Sequence, residues 1–271
     1  LYDSANNIWT KPLTRSRLLW QSFGSYEKRL GLIGNSTLAN KLAQLVSADK
    51  GYYFWDSGSS GVMYIKPYAG VNPNAGSIIA DSGLDATSGG VPLYLNNKSM
   101  TNSGNISVWG LSLRHSPASN IAFIANTTDV STSLGTITVA SCDSRYCGLI
   151  INQVSGGSAL TGNEVPLSTG GGSSGISVYG KNDTVRPEVY IRNNYIEDCG
   201  NNAFETNCVD GGLVEYNTTK DVWGFAWAEL YSSTSNLTVR RNSAIYDVCI
   251  DKPTYNIGRN GANPEYGCGL F

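Results

Sequence analysis

A chain of 271 residues with 41% hydrophobic residues, 15% charged residues and 31 glycines has the balance of an ordered, turn-rich β protein, which argues against disorder. Its formal net charge is −2 and its lysines and arginines are scattered, so no electrostatic footprint for nucleic acid is present. No apolar run reaches the length of about 18 residues that a membrane-crossing helix needs, so no membrane insertion is expected.

Residues 1–95 lack any repeat and are expected to form a small module. STLANKLAQLVS (36–47) sets Leu38, Leu42 and Leu45 on one stripe and predicts a short amphipathic helix, capped by Asn35 or Ser36. GYYFWDSGSSGVMYIKPYAG (51–70) alternates on either side of S-G-S-S-G and predicts a hairpin.

From residue 96 to residue 271 the chain takes on a rhythm. NISVWGLSLRHSPASNIAFIAN (105–126) and GTITVASCDSRYCGLIIN (135–152) each pair two β-rich runs across a turn. A Gly/Ser-rich stretch, 153–175, interrupts the pattern and reads as a long loop, with GISVYG (175–180) returning to the strand pattern. The stretches at 191–207, 213–230 and 237–251 then share one layout. A short β-type run leads to Asn194, Asn217 or Asn242, at spacings of 23 and 25 residues. Asp198 and Asp221 follow four residues after their Asn, and Asp247 follows five after Asn242. A fixed period in this range is the mark of stacked supersecondary units. Two or three short strands per unit, joined by turns too brief for helices, predict an all-β parallel β-helix. Asn suits the bend because it tolerates left-handed backbone and bonds neighbouring backbone, and stacked Asn side chains can form a ladder. EYGCGLF (265–271) reads as part of a coil that stops mid-turn, so the last coil is expected to be incomplete or covered by a partner.

The six cysteines (142, 147, 199, 208, 249 and 268) are compatible with disulfides in a secreted protein or with buried free thiols, and both readings stay open. Cys147 lies five residues past Cys142, as Cys199 lies five past Asn194, which predicts that the two stack inside the wall.

W-D-S-G (55–58) followed by MYIKP (63–67), together with the Asn-cornered repeats, resembles the right-handed parallel β-helix proteins of the carbohydrate-active, pectin lyase-like superfamily. That group includes secreted bacterial β-helix enzymes and phage tailspikes. The resemblance is one of architecture and covers most of the chain. It implies a glycoside hydrolase or polysaccharide lyase acting on an extended polysaccharide, in an extracellular setting, with Ca2+ entering only on the lyase reading. The alternative is a non-catalytic virion (tailspike or fibre) or cell-surface protein, for which a homotrimer is expected on the tailspike reading alone. The paired N-x-D, D-D, G-H-G and R-x-K signatures of polygalacturonate hydrolases do not occur here.

Among individual residues, Glu205 and Glu229 fall 11 and 12 residues past their Asn and are the candidate catalytic pair. On neighbouring strands their backbones would lie about 4.8 Å apart. Carboxyl groups about 5–5.5 Å apart suit a retaining glycosidase, and about 6.5–9.5 Å an inverting one. Close like charges also drive two pKa values apart. Asp198 and Asp221 sit where they would cap a turn, or else help to hold a cation. Arg192, Arg240 and Arg241 can neutralise a uronate carboxylate or simply face solvent. Trp223, Phe225 and Trp227 alternate along one run, as a sugar platform if outward and as core if inward. His115 is the only histidine, so a Ser-His-Asp relay is not expected.

Overall fold

The computed structural model describes residues 2–12, 19–33, 37–48, 51–56, 62–68, 72–73, 78–80, 93–96, 104–116, 119–124, 135–147, 174–180, 186–199, 202–222, 226–231, 233–245 and 268–270. Among them strands dominate and one helix occurs, so the chain is all-β with a small helical addition. They fall into two compact units, one within 1–90 and the other within 91–150, 168–250 and 265–271.

The first unit holds β1 (Trp9–Pro12), β2 (Leu19–Ser22), β3 (Glu27–Arg29), β4 (Gly31–Leu32), α1 (Leu38–Ser47), β5 (Tyr52–Asp56), β6 (Val62–Lys66) and β7 (Ile78–Ala80). β5 and β6 form the expected antiparallel hairpin at the centre of a sheet ordered β1-β6-β5-β4, and β3-β2-β7 make a second sheet. Alternation along the hairpin feeds two cores. Phe54 and Tyr64 pack with Ile8, Ile33 and the helix residue Leu45, while Tyr53, Met63 and Ile65 pack with Leu19 and Leu30. Leu38 and Leu42 join Leu45 as the buried stripe of α1. The cap is neither Asn35 nor Ser36. Thr37 is extended (φ −126°, ψ 147°), and its side chain accepts from the Asn40 N–H at 3.3 Å, the geometry that satisfies an orphan first-turn donor.

The second unit contains β8 (Leu93–Asn96), β9 (Ile106–Trp109), β10 (Ser112–Ser116), β11 (Ile121–Ile124), β12 (Thr136–Ala140), β13 (Asp143–Cys147), β14 (Ile176–Tyr179) and β15 (Glu188–Arg192). It continues through β16 (Tyr195–Cys199), β17 (Phe204–Asn207), β18 (Asp210–Glu215), β19 (Thr218–Lys220), β20 (Ala226–Tyr231), β21 (Ser235–Arg240), β22 (Ser243–Ile245) and β23 (Cys268–Leu270). Each strand pairs in parallel with the strand three later in sequence. Sheet 1 is β8-β11-β14-β17-β20-β23, sheet 2 is β9-β12-β15-β18-β21, and sheet 3 is β10-β13-β16-β19-β22. The chain therefore visits the three sheets in a constant order. Their inward residues share one core, with Ile121, Ile176, Phe204 and Ala228 from sheet 1, Ile137, Val139, Val189, Ile191 and Val214 from sheet 2, and Ile196, Cys147 and Cys199 from sheet 3. Each Val, Ile or Phe so buried contributes about 1.5–3 kcal/mol of transfer free energy.

The bend from sheet 2 to sheet 3 is where backbone polar groups would be orphaned, and the asparagines resolve it. Asn194 Oδ1 accepts from the Cys142 N–H, Asn217 Oδ1 from the Asn194 N–H, and Asn242 Oδ1 from the Asn217 N–H, all at 2.9 Å. The side-chain amides donate the other way. Asn194 Nδ2 reaches Val139 O at 3.0 Å, and Asn217 Nδ2 and Asn242 Nδ2 reach Ile191 O and Val214 O at 2.9 Å. Side chain bonds side chain as well, Asn194 Nδ2 to Asn217 Oδ1 and Asn217 Nδ2 to Asn242 Oδ1. The expected ladder is present. One residue earlier, Gly110, Ser141, Asn193, Tyr216 and Arg241 form a column at φ +53° to +70°. For the non-glycine members this left-handed backbone costs roughly 1–2 kcal/mol each, which the stacked bonds must offset.

Replacing Asn217 by Ala leaves the buried Asn194 N–H and Ile191 C=O without partners and is expected to cost about 2–5 kcal/mol in urea unfolding. The end member Asn242, which is less buried, should cost less. Gly212 lies at φ +117°, and a Cβ there would meet Val189 O at 1.9 Å. Gly212→Ala is therefore expected to lower the unfolding midpoint by at least about 2 kcal/mol equivalent, and an unchanged midpoint would contradict this packing.

Candidate functional site

The outward row of sheet 1 runs Ala122, Ser177, Glu205, Glu229 in direct register. The two glutamates counted from the sequence thus occupy partnered positions on adjacent parallel strands. Glu205 is only 8% exposed although it alternates with the core residues Phe204 and Thr206. A buried carboxylate requires donors. Ser174 Oγ donates to Glu205 Oε2 at 2.9 Å, and the Tyr179 hydroxyl donates to Oε1. Ser119 extends the network, since its Oγ accepts from the Ser174 N–H at 3.2 Å and lies 2.8 Å from Ser177 Oγ. Hydroxyl donors at both oxygens fix the carboxyl plane, and its row neighbours Ala122 (2% exposed) and Ser177 (0%) are buried along with it. Ser174 and Tyr179 escape sequence reading because Ser174 closes the Gly/Ser-rich stretch, and only the register reveals that it stands beside Glu205.

For Glu229 and Trp227 the structure describes the strand position alone, and Trp223 and Phe225 lie outside the described residues, as does Asp247.

Arg192 and Arg240 are not brought to the glutamate pair. They belong to the outward row of sheet 2, Trp109–Ala140–Arg192–Glu215–Arg240. Parity and register explain this placement, because the runs before the Asn corner build sheet 2 and the runs after it lead on towards sheet 1. Glu215 Oε2 accepts from Arg240 Nε at 3.0 Å, and Arg192 Nε lies 3.6 Å from Oε1, so one largely buried carboxylate bridges two guanidinium groups. Arg192 also lies over the Tyr190 ring at 4.6 Å. Arg241, at the corner, donates to the Tyr216 hydroxyl. At the head of this row Trp109 is 76% exposed. No periodicity singles it out.

Asp198 and Asp221 terminate sheet 3 strands at φ +52° and +51°, continuing a left-handed column with His115 (+60°) and Tyr146 (+56°). The His115 and Tyr146 rings stack at 5.4 Å with planes 9° apart. The backbone geometry favours the turn-forming reading of the aspartates, since Asp is among the residues that tolerate this conformation. Among the described residues no three His, Cys, Asp or Glu side chains gather as a metal site.

The outward face of sheet 3 carries a chain of alternating charge. Arg114 pairs with Asp143 at 3.4 Å, Asp143 pairs with Arg145, and Glu197 lies 3.3 Å from Arg145 Nη1 and 3.6 Å from Lys220 Nζ. Tyr195 donates to Glu197 at 3.2 Å. Burial, followed by the negative charge of Glu197, pushes the Tyr195 phenol from its ordinary value of 10 up to about 12.

Comparison of the chain with protein-family models, with curated proteins and with solved structures returns no match.

The Tyr195 shift sets a pH dependence. The folded protein keeps this proton to higher pH than the unfolded chain, so the associated stability is complete below pH 10 and is lost as pH rises towards about 12. Urea midpoints measured across this range are expected to fall more steeply for the wild type than for Tyr195→Phe, and parallel curves would contradict the assignment.

Proposed function

We propose that the second unit is a right-handed parallel β-helix of the pectin lyase-like kind, and that it cleaves an extended polysaccharide along sheet 1 as a glycoside hydrolase. The cyclic order of three parallel sheets around one core supports the architecture. The hand follows from the strong preference for right-handed crossovers between parallel strands. The observation that carries the function is the register pairing of Glu205 with Glu229, one of them buried and held by two hydroxyls. A hydrolase needs two carboxyl groups in different protonation states, one to protonate the glycosidic oxygen and one to attack the anomeric carbon or to activate water. Like charges on neighbouring strands supply that difference, since ionising one carboxyl raises the pKa of the other. Stacked parallel strands at a spacing of about 4.8 Å offer a regular repeat for an extended polymer to follow. An extracellular or virion-surface setting goes with this reading. Ca2+ belongs to the lyase alternative alone, and among the described residues Asp198 and Asp221 gather no third acidic, His or Cys side chain.

The exposure of Trp109 favours a second reading, a non-catalytic β-helix that binds glycan on sheet 2. An exposed Trp face beside the small Ala140 suits stacking against a sugar ring.

A polysaccharide panel assayed for new reducing ends and for the ultraviolet absorbance of unsaturated uronates separates the readings. Hydrolysis predicts reducing ends without unsaturated product, and Glu205→Gln and Glu229→Gln should each lower kcat by about 100-fold or more. No turnover on any glycan, with binding lost in Trp109→Ala and a trimer in solution, would replace it by the binding reading.

A further inference from the structure

We infer that Cys147 and Cys199 are a disulfide-forming pair that covalently joins successive circuits of the wall. They are register partners on β13 and β16, both fully buried, with Sγ atoms 3.3 Å apart. Simple alternation does not bring them there. Along β13 the side chains of Asp143 and Arg145 face outward, and strict alternation would send Cys147 the same way. The left-handed residue before each cysteine, Tyr146 at φ +56° and Asp198 at φ +52°, breaks the alternation in both strands at the same level and turns both thiols into the core. Neighbouring parallel strands lie about 4.8 Å apart, inside the Cα separation of about 4.4–6.8 Å that a disulfide spans. Bond formation needs the sulfurs to approach to about 2.0 Å, a displacement of the order of a side-chain rotation.

Cys142 and Cys208 are engaged elsewhere, and for Cys268 the structure describes the strand position alone. Cys142 Sγ donates to Ala140 O at 3.4 Å, and Cys208 Sγ donates to Asn207 Oδ1 at 3.1 Å. The oxidant is a disulfide such as oxidised glutathione. One cysteine thiolate displaces a glutathione thiol to give a mixed disulfide, and the second displaces the other. Two protons and two electrons leave the protein pair and appear in two reduced glutathiones. Because both sulfurs are buried in the finished fold, the exchange takes place while the chain folds. The bond would close a loop between positions 52 residues apart, and in the chain-entropy account it stabilises by restricting the unfolded state.

The test refolds the whole chain with oxidised or with reduced glutathione, alkylates free thiols after denaturation, and maps peptides without reduction. Trypsin alone leaves Cys199 and Cys208 together, whereas a glutamate-specific protease added to it cuts after Glu205 and separates them. Oxidative refolding is expected to join peptide 146–164 to peptide 198–205, two hydrogens lighter than their sum, and to raise the thermal midpoint by several degrees relative to the reduced protein. In Cys199→Ser that rise should vanish. Alkylated Cys147 and Cys199 after oxidative refolding, or Cys147 joined to a different cysteine, would overturn the inference.

Discussion

The structure of the second unit depends on one requirement: every backbone group on the buried side of the bend between sheets 2 and 3, at Cys142, Asn194 and Asn217, must find a partner. A strand leaving one sheet and entering the next exposes an N–H and a C=O that water cannot reach. Asn meets both needs at once, with an oxygen accepting from the circuit on one side and an amide donating back to a strand carbonyl. The same stacking lets Tyr216 and Arg241 adopt a backbone that neither would take alone, because the column as a whole bonds from one level to the next.

Once the bends are stacked, side chains far apart in sequence fall into rows, and each outward face acquires its own chemistry. Sheet 3 neutralises itself through alternating charges, sheet 2 places one carboxylate between two guanidinium groups, and sheet 1 gathers hydroxyls around a buried glutamate. The charges of sheet 3 are paired with one another, whereas on sheet 2 the buried Arg192 Nε stays beyond hydrogen-bonding distance of Glu215, at 3.6 Å. Sheet 1 is the one in which a costly buried carboxylate is held by neutral donors, which is why it draws the functional assignment.

The legibility of these features in the sequence follows from the same physics. Asn194, Asn217 and Asn242 are readable because the fold demands the same side chain at one place in each circuit, and Glu205 and Glu229 become readable by counting from them. The level above shows the limit of that signal. Cys142 occupies the Asn position there: its N–H joins the ladder, and its thiol reaches the equivalent strand carbonyl, Val108 O, only at 3.9 Å. The left-handed columns are hidden, since Tyr146, Tyr216 and Arg241 have no local preference for that backbone and adopt it through register. Arg192 and Arg240 look like candidates for a sugar carboxylate until register places them around Glu215. The cap of α1 lies one or two residues beyond the position the sequence suggests for a simpler reason: Asn35, Ser36 and Thr37 are all competent caps, and only backbone geometry chooses among them.

The wall keeps its register whatever the length of chain between its levels. Val189 is followed by its partner Gly212 after 23 residues, whereas Ile137 reaches Val189 only after 52, yet both pairs are direct neighbours in sheet 2. Closing a longer loop adds only a logarithmic entropic penalty. Chain length between levels can therefore differ while the register of the stack stays the same. A molecule organised in this way separates the hydrogen-bonded levels it must preserve from the length of chain that joins them.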